Sequence, residues 1–312
     1  MEPSKTVIAI SGPTAIGKTS LAIKIASYFS TEIISVDSRQ FYKEMSIGTA
    51  VPEPEELAAV QHHFIQHKSI HDTYNVGDFE KEAIKKIEKL FKKHNILILV
   101  GGSGLYMDAI IKGLDSFPKI NPEIREKLNE LLEKEGITPL QEQLKELDPA
   151  YYEKVDLYNP QRLIRALEVC LQSQKPYSSF LEKKKPPRDF KVIHLALNAP
   201  REIIYQRINY RVDLMMKAGL LNEVSGLQQH KNLNALQTVG YKELFKYLSG
   251  EYPLDFAVSE IKKNTRRFAK RQLTWLRRDE TIKWFDYKTP VNEIILYLKD
   301  RMNKSVPGTE TT

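Results

Sequence analysis

The chain has 312 residues, 41% hydrophobic and 28% charged, a globular composition that fits one large domain or two ordinary ones and needs no covalent staples. A single cysteine, Cys170, and the lack of any Cys/His cluster exclude a disulfide scaffold and a zinc ribbon and point to a reducing, cytoplasmic setting. The longest apolar runs, such as 96–100, are far too short to span a membrane, and Glu2-Pro3 ahead of a short apolar run is not the pattern of a signal peptide. Lysine and arginine number 47 against 40 acids, a formal charge of +7, a modest excess whose placement matters more than its size.

In chain order, residues 6–11 form a continuous apolar, β-branched run of strand length, and the phosphate-loop-like stretch 12–19 leads into a helix over 20–29. A second buried strand covers 32–36 and ends at Asp37. An amphipathic helix over 79–93 precedes a third strand at 96–100, which runs into a glycine-rich turn at 101–104. Strands alternating with helices imply right-handed crossovers and a parallel sheet whose ligand site lies beyond the carboxyl ends of the strands. After residue 114 the rhythm becomes helical, over 123–135, 138–146 and 160–171. Residues 182–188 read as a solvated linker, and 190–197 as a further buried strand. The fold expected is therefore an α/β core of 1–118 and 190–312, a P-loop NTPase-like parallel sheet flanked by helices, with an all-helical insertion domain at 119–189. Residues 304–312 are small and polar and expected to fray.

Gly12-Pro-Thr-Ala-Ile-Gly17-Lys18-Thr19 fits G-x-x-x-x-G-K-[ST], a loop whose amides converge on phosphate oxygens while the lysine adds a cation and the hydroxyl can hold Mg²⁺. The following helix points its positive end at the same place. Asp37, at the tip of the second strand, is either a turn aspartate or a carboxylate facing the loop as a base or metal partner. Gly101-Gly-Ser-Gly104 either makes a tight turn or lets a ligand approach the backbone, with Ser103 offering a hydroxyl.

Eight basic residues, from Lys262 and Lys263 to Arg277 and Arg278, lie in one stretch with no acid among them. On a helix, Arg267, Lys270, Arg271, Thr274 and Arg278 share a face, while Phe268, Leu273 and Leu276 turn inward and Trp275 joins the core. Without an acid to pair with, that face suits a phosphate backbone. Arg207 and Arg211 lie one turn apart, either as solvated surface or as a cationic lid over a phosphate group. His62-His63 lacks metal-ligand spacing and reads as a loop pair or core histidines. Cys170 reads as inert packing.

The phosphate loop, Asp37-Ser-Arg-Gln-Phe-Tyr42, Ile47-Gly-Thr-Ala50, Gly101-Gly-Ser-Gly-Leu-Tyr106, Arg162-Leu-Ile-Arg-Ala-Leu-Glu168, Gly240-Tyr-Lys-Glu243 and Ala269-Lys-Arg-Gln-Leu-Thr-Trp275 follow one another in that order. This series closely resembles the bacterial tRNA dimethylallyltransferases, or tRNA isopentenyltransferases, over about residues 6–285. Ile16, where a small residue is usual, and Ser103, where threonine is usual, are the two departures. The zinc-finger extension of eukaryotic relatives is not seen, as expected of a bacterial-type chain. The resemblance implies transfer of a dimethylallyl group from dimethylallyl diphosphate to N6 of adenosine at tRNA position 37, with Mg²⁺ required and the phosphate loop holding a diphosphate that leaves.

By the same resemblance Asp37 is the general base. Gly12, Pro13, Thr14, Ala15, Ile16, Gly17, Lys18 and Thr19 line the diphosphate and allyl pocket with Arg211, and Thr19 sits beside the metal. Asp37, Ser38, Arg39 and Gln40 meet the target nucleotide. Ser103, Arg125, Gln161, Arg162, Leu163, Ile164 and Arg165 touch the tRNA, and Lys270 and Arg271 join them on the basic helix. The adenine must leave its stack to reach the donor, and Phe41, Tyr42 and Tyr106 are candidates to receive it. Two other readings of the residues stand beside this one. One is a small-molecule kinase using ATP, with Asp37 activating a hydroxyl. The other is a nucleotide-gated RNA-binding protein without catalysis. No obligate protein partner is evident, and a monomer is expected.

Overall fold

The computed structural model describes residues 5–181, 185 and 187–303. The chain divides into two compact units, one made of Met1–Lys112 with Arg188–Thr312 and the other of Gly113–Pro187. The helical unit thus begins six residues before the expected boundary and ends two before it.

The first unit opens with β1 (Thr6–Ser11), α1 (Lys18–Tyr28), β2 (Ile33–Ser35), α2 (Pro54–Ala59), β3 (His62–His63), α3 (Val76–Leu90), β4 (Ile96–Val100) and α4 (Gly104–Lys112). Helix α3 starts three residues before the expected point because the Asn75 side chain accepts the amides of Gly77 and Asp78 as an N-cap. The second unit is α5 (Pro122–Glu135), α6 (Thr138–Leu147), α7 (Pro149–Tyr152) and α8 (Pro160–Ser173). The first unit resumes with β5 (Lys191–Asn198), α9 (Arg201–Lys217), α10 (Leu220–Gly226), α11 (Tyr241–Leu248), α12 (Leu254–Leu276), β6 (Lys283–Asp286) and α13 (Val291–Asn303).

The six strands form one sheet in the order β3-β2-β4-β1-β5-β6, and every pairing is parallel. Two of the strands, β3 and β6, escaped the sequence reading. β3 has only two residues, so it shows no periodicity, and His62-His63 is strand rather than loop. Side chains of β1 and β4 alternate between two cores: Val7, Ala9, Leu97 and Leu99 pack toward α3, α4 and α11, while Ile8, Ile10, Ile98 and Val100 pack toward α1 and α9. Burial on both faces is why these strands read as unbroken apolar runs.

The expected linker is partly outside the described residues, at 182–184 and 186, as is the expected frayed end, 304–312. Arg188 departs from it. Its Nε donates to the Ile110 carbonyl at 2.8 Å and its guanidinium pairs with Glu80 at 2.5 Å, so the returning chain is fastened where it re-enters the first unit.

The second unit has its own core of Leu128, Leu140, Leu144, Leu163, Ile164, Ala166 and Leu167. Buried Asp148 accepts from Tyr151 N–H and from both the amide and hydroxyl of Ser178, closing the end of that core. Cys170 lies in the same unit, buried, with its Sγ accepting the Tyr177 amide. Burial raises its thiol pKa, the opposite of an activated cysteine.

A Cβ added at Gly101 would overlap the Val36 carbonyl, whereas one at Gly226 meets nothing within 4 Å. Gly101→Ala should therefore destabilise the chain by ~1–3 kcal/mol and Gly226→Ala by nothing measurable. Chemical denaturation of the two variants checks this, and equal midpoints would refute the close approach.

Candidate active site

Three loops meet at the carboxyl edge of the sheet: 12–17 after β1, 37–40 after β2 and 101–103 after β4. Because β4 lies between β2 and β1, these loops sit side by side where strand order reverses, the position at which open α/β sheets bind ligands. They are stitched by backbone bonds, with Gly101 N–H donating to Ile10, Val36 N–H to Val100 and Ser103 N–H to Val36. A cavity of about 1330 Å³ opens above them, larger than the ~300–1,000 Å³ of ordinary small-molecule pockets.

The loop 12–19 has the form its sequence demands. Gly17 enters α1 in the left-handed region, at φ 105°. Ala15 also takes a positive φ, 65°, at a cost of roughly 1–2 kcal/mol for a residue with a Cβ. Arg207 from α9 holds it there, its Nε donating to the Ala15 carbonyl at 2.7 Å while the guanidinium lies over Tyr287. Arg207 is thus a strut of the loop rather than solvated surface. Lys18 Nζ donates to the Pro13 carbonyl at 2.8 Å.

Arg211, one turn along α9, lines the same cavity. Burial and then Arg207 lower its pKa, with Asp37 and Glu56 opposing. Burial and Arg211 push Lys18 down to about 8, again with Asp37 opposing. Cations held down by burial and by cationic neighbours around one cavity are electrostatically suited to an anion.

Asp37 lines the cavity with the loop. One of its oxygens accepts the Arg39 amide at 3.0 Å, the turn role, which fixes the carboxylate without neutralising it. Ser103 Oγ accepts the Ser38 amide and donates to the Ser38 hydroxyl, both at 3.1 Å. Ser103 thereby positions the Asp37 turn from the neighbouring strand end. Arg39 donates to the carbonyls of Asn234 and Ala235. Gln40 donates to those of Thr49 and Ala50 and accepts from Ser35. Both side chains hold the cavity wall.

Sequence reasoning missed what holds the Ile47-Gly-Thr-Ala50 loop. Glu223 of α10 accepts the amides of Ser46, Ile47 and Gly48 at 2.8–3.0 Å and the Tyr241 hydroxyl at 2.6 Å. A lone glutamate in a short helix carries no signal of this. Gln272, inside the Ala269–Trp275 block, carries no signal beside its charged neighbours, yet it bonds Thr14 and Gly102.

Several expected contacts change. Phe41 and Tyr42 are buried, at 1% and 6% exposure; Phe41 stacks on Phe79, so neither can receive a base. Tyr106 does line the cavity. Phe268 faces the cavity mouth, 37% exposed, rather than the core. Trp275 is half-buried, donating to Asp108 at 3.0 Å. Helix α12 begins eight residues before Lys262, so acids are in reach: Lys263 pairs with Glu260 and Lys262 with Asp213. Lys270, Arg271, Arg277 and Arg278 remain exposed.

In the second unit, Arg125, Gln161 and Arg162 are exposed. Buried Glu168 grips Arg125 at 3.1 Å and Arg165 at 3.4 Å, and Arg165 also lies over Phe117. Leu163 and Ile164, placed among the tRNA contacts, are fully buried in that unit's core. They occupy the inward face of α8 and have no surface to offer an RNA.

Fold and cradle together define a phosphate-loop α/β protein with a cation-lined cavity at the edge of a parallel sheet. Residues 40–279 match the IPP transferase family. The chain is 59% identical over 308 residues to the tRNA dimethylallyltransferase of Flavobacterium johnsoniae, covering 97% of this chain and all of that one. It is 47% identical to tRNA dimethylallyltransferase 1 of Bacteroides fragilis, over 95% and 98%. Among solved structures, the full-length tRNA isopentenylpyrophosphate transferase of Bacillus halodurans matches with a TM-score of 0.71 and 33% identity, over 96% and 97%. A eukaryotic dimethylallyltransferase acting on tRNA matches with a TM-score of 0.81 and 26% identity, over 99% and 82%. The chain belongs to the IPP transferase family.

An anion bound at Lys18 favours its charged form. Below pH 8 the cation is already present; above it, binding must take up a proton. Affinity for a diphosphate ester should thus be level near neutrality and fall up to about tenfold per pH unit above pH 8. Calorimetry in buffers of different ionisation enthalpy would show the proton uptake, and affinity that stays level to pH 9.5 would refute it. Glu223→Ala, which leaves three amides without their acceptor, should destabilise the chain by ~2–4 kcal/mol, read from denaturation midpoints.

Proposed function

We propose that this chain transfers a dimethylallyl group from dimethylallyl diphosphate to N6 of adenosine at tRNA position 37, in the cytoplasm, giving N6-isopentenyladenosine and diphosphate. The observation that carries this reading is the sharing of one cavity by the phosphate loop and the Asp37 carboxylate. Its volume leaves room for a nucleobase beside a diphosphate. No helix of the described residues is long and apolar enough to cross a membrane.

The bond from the allyl carbon to the diphosphate oxygen breaks as the bond from N6 to that carbon forms. Negative charge grows on the departing diphosphate, where the free loop amides, Lys18 and Arg211 would receive it. The adenine amine becomes acidic only as it acquires positive charge. Asp37 then takes its proton. The Arg39 amide and the Ser103–Ser38 bond hold that carboxylate in place.

Among the described residues no group of three His, Cys, Asp or Glu side chains could hold a metal by itself. Magnesium favours few protein ligands and substrate phosphates, and the Thr19 hydroxyl at the head of α1 is a donor of that kind. The residues therefore fit Mg²⁺ arriving with the diphosphate, held by Thr19. When bound it supplies positive charge to the leaving group.

For the RNA, exposed Lys270 and Arg271 on α12 and Arg125, Arg162 and Arg165 in the second unit offer phosphate contacts to the anticodon stem-loop. Tyr106 and Arg271, both lining the cavity, are the planes on which an extruded adenine would stack.

Incubation with labelled dimethylallyl diphosphate and unmodified tRNA should place label in the anticodon-loop adenosine. An unlabelled RNA with ATP consumed instead would defeat the reading in favour of a kinase. Asp37→Asn should reduce turnover by at least ~10² with tRNA affinity unchanged, and near-normal turnover would remove Asp37 as the base. Replacing Lys270 and Arg271 together by alanine should lower the slope of log affinity against log salt by roughly 2, leaving diphosphate binding alone.

A further inference from the structure

Gln272 has no part in the chemistry above, yet it is buried against the cradle at 7% exposure. Its Oε1 accepts the Thr14 amide at 2.8 Å, and its Nε2 donates to the Gly102 carbonyl at 2.9 Å. Pro13 has no N–H, so the amide of Thr14 is the first that follows Gly12, and it is already engaged. On the other side, the ammonium of Lys18 is drawn toward the loop's beginning by the Pro13 carbonyl. A Cβ added at Gly102 would overlap Gln272 Nε2 while standing 3.9 Å from Lys18 Nζ. Carboxamide and ammonium therefore flank the same point.

In a nucleoside triphosphate site built on this loop, the lysine reaches across the second and third phosphates. A third phosphate placed beside Lys18 here would have to displace the Gln272 carboxamide. The Gly102 carbonyl and the carboxamide would then be buried without partners, a penalty that a diphosphate ending short of them avoids. Cells hold nucleoside triphosphates carrying the same recognition group, so a cradle for a diphosphate ester needs an element that acts against them.

We propose that Gln272 closes the end of the phosphate cradle and restricts it to two phosphates, excluding inorganic and nucleoside triphosphates. The inference rests on reading the cradle as a diphosphate site and names the residue that sets its length. Gln272 is a specificity-determining residue that acts without forming or breaking any bond of the substrate.

The test is calorimetric titration of the full chain, with magnesium present, by pyrophosphate and by tripolyphosphate. The wild-type chain should bind tripolyphosphate at least about 10-fold more weakly than pyrophosphate. Gln272→Ser removes the obstruction and should bring the two affinities to within about 3-fold of each other. Gln272→Glu keeps the bulk and the acceptor for Thr14 but sets a carboxylate beside Lys18. Its preference for pyrophosphate should be as large as in the wild type or larger. Equal wild-type affinities would overturn the proposal, and so would an unchanged preference in a Gln272→Ser chain that melts like the wild type. If that variant does not fold, the wild-type ratio and Gln272→Glu still decide. A wild-type chain that binds neither anion would overturn the diphosphate reading itself, whereas tight pyrophosphate binding without discrimination overturns only the role of Gln272.

Discussion

Gly101 is pressed so closely against the Val36 carbonyl that no side chain fits between them, and the arrangement of the site follows from that contact. It draws the end of β4 against the end of β2 while the Gly101 amide reaches Ile10 at the end of β1. Three strand ends are thereby locked into one rim, and each contributes a different element: the phosphate loop, the Asp37 turn and the Ser103 hydroxyl. A parallel sheet imposes this, because all its strands finish at the same edge and leave their last amides and carbonyls there for loops to use.

The rim also concentrates charge of one sign. Burial depresses both Lys18 and Arg211, Arg211 depresses Lys18 further, and Arg207 depresses Arg211. Asp37 offsets part of this repulsion, so the carboxylate contributes to holding the cradle together. Stability given up at such a point is recovered when an anion arrives, since binding only the folded state stabilises it. The same logic accounts for the struts. Arg207 fixes an alanine in a left-handed conformation, and Glu223 gathers three consecutive amides of the 46–48 turn. Both keep a polar loop from collapsing into its own cavity.

The helical unit uses an inverted form of this scheme. A single buried carboxylate, Glu168, orients exposed Arg125 and half-buried Arg165, and stacking on Phe117 constrains the latter further. Guanidinium groups held in this way lose less freedom on meeting a phosphate than free surface arginines would.

Local pattern alone determined a good deal of this protein. The phosphate loop, β1, β4 and α8 are legible because each is a continuous run whose periodicity or spacing needs no distant partner. That Asp37 and Lys18 would line one cavity was legible because strand tips in an alternating β/α chain share one edge. Tertiary structure alone decided the rest. His62 and His63 became a strand only by pairing with β2. Phe41 and Tyr42 went to the core because α3 covers them, and Leu163 and Ile164 because α8 turns that face inward. The pairing of Lys263 with Glu260 depended on where α12 begins. Gln272, 258 residues from Thr14, and Glu223, 177 from Ser46, act through a few hydrogen bonds to distant backbone. Such bonds leave no period, composition or spacing in a sequence, because their geometry exists only once the folded chain has brought the partners together.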